Sequence, residues 1–204
     1  MGLMMIAIID YGMGNLRSVQ KAMEKVGGQA IVTHKPEDIL NAAKVVLPGV
    51  GAMAPAMEQL QSLGLIDSIN KSIAEKKPFL GICLGYQLLF ESSNEGGNVK
   101  GLGLLKGTVE RFSNDVKVPH MGWNQLQLTD RAGVLFNNID PQACVYFCHS
   151  YFVRPKDGNV VATTTDYGVE FASAVCHNNI FGVQFHPEKS QTTGLTILKN
   201  FINL

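Results

Sequence analysis

A cysteine flanked by glycines is the first feature of this sequence that suggests chemistry. In Phe79-Leu80-Gly81-Ile82-Cys83-Leu84-Gly85-Tyr86-Gln87 the thiol follows a short apolar run and precedes a helix-like stretch, with Gly81 and Gly85 two residues to either side. This is the thiol counterpart of a nucleophile elbow. A sharp strand-to-helix turn forces the nucleophile into a strained backbone conformation, and the glycines remove side chains that would clash. A helix N-terminus favours a thiolate and presents backbone N–H groups to an oxyanion. A buried core cysteine between packing glycines is the competing reading.

A nucleophilic cysteine needs a base. His186 closes the apolar run 181–185, and Pro187-Glu188 follow at once, so Pro187 turns the chain and Glu188 lies close enough to orient the imidazole. Taken alone, His-Pro-Glu is equally well explained as a surface turn; beside the elbow it completes a Cys-His-Glu set. Leu47-Pro48-Gly49-Val50-Gly51-Ala52 follows another apolar run, and its glycines let a backbone amide turn toward a ligand. Ligands in open parallel sheets bind at the carboxyl ends of strands, where this loop and Cys83 both fall. No phosphate-binding G-x-x-x-x-G-K-[ST] occurs, and Asp10–Asn15 lacks a complete dinucleotide fingerprint, so neither ATP nor NAD is indicated.

The elements that must carry these residues are legible in outline. Residues 4–9 read as a buried strand; Leu16, Val19, Met23 and Val26 recur at helical spacing, with Asn15 as N-cap and Gly27-Gly28 as the stop. Strands are expected over 30–33, 44–47 and 79–82, with helices from Ala54 and over 65–75. Apolar strands separated by helices imply a parallel sheet covered on both faces. Strand-like runs then crowd together at 109–112, 124–128, 145–148, 160–165, 171–177 and 180–185, with Asn178-Asn179 as a two-residue hairpin turn and a closing helix over 192–201. The expected architecture is a three-layer α/β domain spanning 1–204, its mostly parallel sheet extended by antiparallel strands in the second half.

Composition bounds the partners. The 204 residues carry 17 basic and 17 acidic side chains, which argues against a nucleic-acid or membrane face. No Lys or Arg precedes Arg17, the opening apolar run ends at Asp10, and no run nears the ~18 apolar residues of a membrane helix. Cys83, Cys144, Cys148 and Cys176 form no C-x-x-C pair, which fits reduced thiols in a cytoplasm better than disulfides or zinc.

The elbow together with Gln184-Phe185-His186-Pro187-Glu188 resembles the class I (triad) glutamine amidotransferases. Asp10–Asn15, Pro48–Gly51, Pro119-His120-Met121-Gly122-Trp123-Asn124, His149-Ser150-Tyr151 and His186–Ser190 are similar, more narrowly, to the glutaminase subunits of imidazole glycerol phosphate synthases. Tyr86 departs from the pattern, which has a smaller or more flexible residue there. The resemblance implies that Cys83, His186 and Glu188 are catalytic and that the Val50 and Leu84 amides bind the oxyanion. It implies that Gly51, Gln87, His149, Ser150 and Tyr151 hold L-glutamine, although a packed strand histidine fits His149 as well. It implies no metal and no cofactor. It further implies a cyclase subunit with a (β/α)8 barrel, met as a heterodimer through Asn15, Trp123, Tyr146 and Lys189, although an ordinary exposed side chain fits Tyr146 better. A related glutaminase feeding a sugar-modifying synthetase, or a stand-alone cysteine hydrolase, are the alternatives.

Overall fold

The structure, a computed structural model, describes residues 5–204. The first half alternates strand and helix: β1 (Met5–Ile9), α1 (Leu16–Lys25), β2 (Gln29–Thr33), α2 (Pro36–Asn41), β3 (Lys44–Gly49), α3 (Met53–Ser62), α4 (Leu65–Ala74), β4 (Phe79–Cys83) and α5 (Leu84–Gln87). The second half is mostly strand: β5 (Phe90–Ser93), β6 (Val99–Lys100), β7 (Leu105–Arg111), β8 (His120–Gln125), β9 (Gln127–Leu128), β10 (Cys144–His149), β11 (Tyr151–Pro155), β12 (Val161–Asp166), β13 (Glu170–His177), β14 (Ile180–Val183), then α6 (Gln191–Ile202).

One sheet runs β2-β1-β3-β4-β14-β13-β11-β7-β5-β6, with β12 and β9 branching from β13. Its left half, β2 to β14, is wholly parallel, and β13, β11 and β12 continue it antiparallel. The period of two along β1 sends Ile6 and Ile8 to one core and Ala7 and Ile9 to the other. Val19 and Met23 of α1 with Ile197, Leu198 and Phe201 of α6 cover the first face, and Leu60 of α3 with Leu65 and Ile69 of α4 cover the second. That is the three-layer α/β architecture expected from the sequence.

The departures have local causes. Met4 of the first expected strand lies outside the described residues. Asn15 occupies the N-cap of α1, but its side chain makes no capping bond; its carbonyl takes the Ser18 and Val19 amides instead, at 3.1 and 3.2 Å. The expected strand 124–128 is two pieces. Leu126, fully buried, bends the chain from β8, which pairs with β10 in a separate two-stranded sheet, to β9, which pairs with β12. Helix α2 and strands β5, β6 and β11 had no expectation at all. By contrast Asn178, at φ 53°, turns β13 into β14 with His177 opposite Ile180, the two-residue hairpin expected there.

Candidate active site

Strands β3 and β4 end side by side, with Gly49 opposite Cys83. Cys83 has φ 54° and ψ −108°, a conformation that a residue with a Cβ rarely adopts, so the strain expected of an elbow is present. A Cβ on Gly85 would overlap the Leu47 carbonyl oxygen, and one on Gly81 would stand 2.7 Å from the Gly85 carbonyl oxygen. Gly85 therefore lets the turn lie directly against β3, and Gly81 lets α5 fold back against β4. The helix that follows is only one turn long, because Leu88 and Leu89 lead straight into β5.

Strand β14 brings His186, the expected base, beside Cys83. It runs parallel to β4 with Gly182 opposite Gly81 and Val183 opposite Ile82, so the chain leaves it beside Cys83. The His186 amide donates to the Tyr146 carbonyl at 2.9 Å, and the Ser190 hydroxyl donates to the His186 carbonyl at 2.6 Å while accepting the Tyr146 amide at 2.9 Å. Strand β10 thus clasps the 3₁₀ turn Pro187–Lys189. His186 Nδ1 lies 2.9 Å from Glu188 Oε1, both side chains almost wholly buried, which leaves Nε2 for Cys83. Burial alone would lower the His186 pKa; hydrogen bonds to Cys83 and Glu188 outweigh it and push the value up to about 10. Glu188 Oε2 is buried without a hydrogen-bond partner.

The Asp10–Asn15 motif underlies the third component. Asp10 accepts the Gly12 amide at 3.0 Å, and the turn puts the buried Tyr11 ring behind Gly49, where a Cβ would overlap its hydroxyl. Met13 lies beneath Gly51, at φ +98°. Both side chains support the Gly49-Val50-Gly51 loop, whose Val50 side chain is exposed.

These parts border one cavity of about 310 Å³. It takes in Val50, Gly51, Cys83, Leu84, Gln87, His149, Ser150, Tyr151, His186 and Lys189, together with Pro119 of the 119–124 motif, Cys148, and Glu95, which the sequence had not singled out. Glu95 Oε2 accepts the Met53 amide at the start of α3, 2.8 Å away, and the residue borders the same cavity as Cys83. Nothing local marks Glu95; only the pairing of β5 with the rest of the sheet delivers it.

The polar ends of His149 are both occupied: Nδ1 bonds the Tyr151 carbonyl at 2.7 Å and Nε2 meets His120 Nδ1 at 2.9 Å, amid Phe112, Phe147 and Phe171. Its ring forms the cavity wall as a packed strand histidine. The Gln87 side chain is likewise engaged, donating to the Tyr151 carbonyl at 2.9 Å and to Gln184 Oε1 at 3.0 Å. Tyr86 is fully buried, donates to the Ala172 carbonyl at 3.1 Å and packs on Gly182, where any Cβ would strike its ring. Gly182 thus makes the room that the larger residue needs.

Beside the cavity, on the two-stranded sheet, Trp123 lies opposite Tyr146 with ring centroids 6.2 Å apart, and Lys189 Nζ stands 5.7 Å from the Tyr146 ring centre. Trp123 and Met121 are exposed on the same face of β8. Asn15 is exposed at the start of α1, and a second cavity is bordered by Ser18 and Lys21 of α1 and by Lys189.

Known proteins agree with this construction. Among curated relatives, the imidazole glycerol phosphate synthase subunit HisH of Moorella thermoacetica is 54% identical over 96% of this chain and 93% of its own length. The HisH subunit of Syntrophotalea carbinolica is 52% identical over 97% and 98%. At the level of fold alone, the structure of PurLQS from Thermotoga maritima superposes with a TM-score of 0.75, at 18% identity over 98% of this chain and 97% of that one. The glutaminase domain of CTPS from Trypanosoma brucei superposes with a TM-score of 0.68, at 15% identity over 98% and 94%. Residues 7–204 match the family described as Glutamine amidotransferase class-I, and the chain belongs to that family.

Proposed function

We propose that the chain, acting as one glutaminase domain, hydrolyses the side-chain amide of L-glutamine at the 310 Å³ cavity and passes the ammonia to a cyclase subunit. The observation that carries the reading is His186, bonded to Glu188 on one side and facing Cys83 on the other. With the thiol proton already passed to His186 Nε2, the Cys83 sulfur attacks the amide carbon; that proton then leaves with ammonia as the C–N bond breaks. The glutamyl thioester is hydrolysed by water that His186 deprotonates, releasing glutamate and restoring the thiol. Glu188 holds the ring and its charge offsets the imidazolium. The Leu84 amide, directly after Cys83, and the Val50 amide, on the neighbouring strand end, donate to the oxyanion. Gln87, Ser150, Tyr151 and Gly51 shape the glutamine site. Glu95, the remaining carboxylate on the wall, receives the substrate's α-ammonium.

Relatives at 54% and 52% identity, covered almost end to end, favour the making of imidazole glycerol phosphate in histidine biosynthesis over a synthetase that modifies sugars, and the triad's family sets aside a stand-alone hydrolase. Free ammonia in neutral water becomes ammonium and loses its nucleophilicity, so the cyclase, a (β/α)8 barrel, seals the cavity mouth in a heterodimer. The exposed Trp123, Tyr146 and Lys189 cluster and the nearby Asn15 form its seat, in the cytoplasm. No helix among the described residues is long and apolar enough to cross a membrane.

The decisive experiment is Cys83→Ala. Glutamate release should vanish while the thermal unfolding midpoint barely moves, since one small thiol is lost. A folded variant that keeps substantial glutaminase activity would refute the assignment.

A further inference from the structure

A chain of amides whose polarity is dictated by the backbone ends on the nucleophile. The Tyr151 carbonyl can only accept, so Gln87 must present its NH2 group there, at 2.9 Å. The same NH2 group reaches Gln184 Oε1 at 3.0 Å, and this fixes Gln184 in turn: its oxygen faces Gln87, and its Nε2 points at Cys83 Sγ, 3.8 Å away. Gln184 is wholly buried. The opposite influence comes from the Cys148 carbonyl, 3.9 Å from the sulfur, which accepts from a thiol and offers nothing to a thiolate.

We propose that Gln184 is a positioning residue for the glutaminase reaction: its side-chain N–H, oriented through Gln87 by the Tyr151 carbonyl, holds the Cys83 sulfur in line and supports its negative charge once the proton has passed to His186. This rests on the reading of Cys83 as nucleophile. When the thiol proton moves to His186 Nε2, the sulfur keeps the electron pair, and hydrogen bonds to charged groups are the stronger kind. The titratable groups on the sulfur's side of the fold are His186, with Glu188 behind it, Tyr11, and the cavity residues Glu95, Cys148, His149, Tyr151 and Lys189. The Tyr11 hydroxyl is pushed well above its ordinary range by burial and then by Cys83, so it stays neutral. Gln184 is therefore the side-chain donor that can favour the thiolate without itself carrying charge. It does not border the cavity, so it does not grip substrate.

Gln184→Glu tests this with almost no change of shape. One carboxylate oxygen still accepts from Gln87, while the other replaces the N–H that faced sulfur. The readout is the rate of Cys83 alkylation by iodoacetamide across pH, by mass spectrometry on the full chain, with exposed Cys144 in the same molecules as internal reference. Cys83 alkylation at neutral pH should fall about tenfold and its pH profile should move upward, with Cys144 unchanged. Glutamate release should lose kcat with little change in KM. Gln184→Met, which fills the space without donor or charge, should shift the profile in the same direction by less, and it decides the matter if the Glu variant does not fold. A wild-type Cys83 profile in a folded Gln184 variant overturns the proposal. That result leaves the nucleophile assignment intact, since the latter fails only if Cys83→Ala retains activity.

Discussion

His120 and His149 meet ring to ring inside a shell of aromatic side chains, and their protons are assigned by the same backbone logic. His149 Nδ1 must donate to the Tyr151 carbonyl, so its Nε2 accepts from His120 Nδ1, and His120 Nε2 accepts from Asn124 at 3.3 Å. Both rings are neutral, and a further proton would set donor against donor. Burial lowers His120 to about 4 and His149 to about 3. In the unfolded chain both would take protons near pH 6.5, so the folded state loses stability as pH falls from 6.5 toward those values. His186 works the other way: its raised value adds stability that is complete below about pH 6.5 and is lost as pH climbs through about 10. The acid window therefore belongs to the buried pair. Between pH 6.5 and 5 the unfolding free energy should drop by about 1–3 kcal/mol from these two rings. Urea titrations at both pH values will measure it, and the drop should be smaller in the His120→Phe/His149→Phe double variant. An equal drop in the two proteins would place the acid sensitivity elsewhere.

Among elements, α6 has a role beyond covering the sheet. Gly194 in its first turn lies so close to the 3₁₀ turn after His186 that a Cβ would overlap the Pro187 carbonyl oxygen, and the obstacle is backbone. Gly194→Ala should push the turn outward and misplace His186. Glutamate release should fall at least tenfold, while the thermal midpoint moves by a few degrees at most. Activity and midpoint measured together will separate this from general unfolding; near wild-type activity would show that the helix yields instead. Elements with a local signature were legible in the sequence. The elbow rests on two glycines, the β13–β14 hairpin on an asparagine that tolerates positive φ, and the loop after β3 on Pro-Gly-Val-Gly. The full buried runs of β1, β3 and β4 announced a parallel sheet. What escaped depends on distant partners. Strands β5 and β6 are short; β5 forms because β7 lies beside it and β6 because β5 does, the split at Leu126 follows from two different sheets claiming one run, and Glu95 and Gln184 gain meaning only from what the sheet sets across from them. Gln184 stood inside a motif noted for its histidine, yet no spacing rule reveals that its amide points at sulfur.

The whole molecule has zero formal net charge, so no long-range field steers a partner, and recognition must come from local anchors. The proposed anchor is the exposed tryptophan beside Tyr146, whose ring Lys189 overlies; of the three, Lys189 borders the cavity. Lys189 also borders the catalytic cavity and the turn of His186, so it can report docking to the site. With the cyclase and its ammonia-accepting substrate added, wild-type glutamate release should rise steeply. Lys189→Ala should lose most of that rise while keeping its basal rate, whereas Lys71→Ala, exposed on α4, should behave as wild type. If both variants respond equally, the partner sits elsewhere. The sheet order carries one more consequence, for how the enzyme is born. Strand β14 slots between β4 and β13, and the residues that meet there, Gln184 and Cys83, are 101 positions apart in the chain. A ribosome that has made the elbow needs about 5–20 s more to deliver the base, at ordinary synthesis speeds. Until then the emerging chain has a thiol with no acid–base partner and a sheet still missing the strand that joins its halves. On the roles proposed for Cys83 and His186, a chain truncated before β14 should release no glutamate from glutamine.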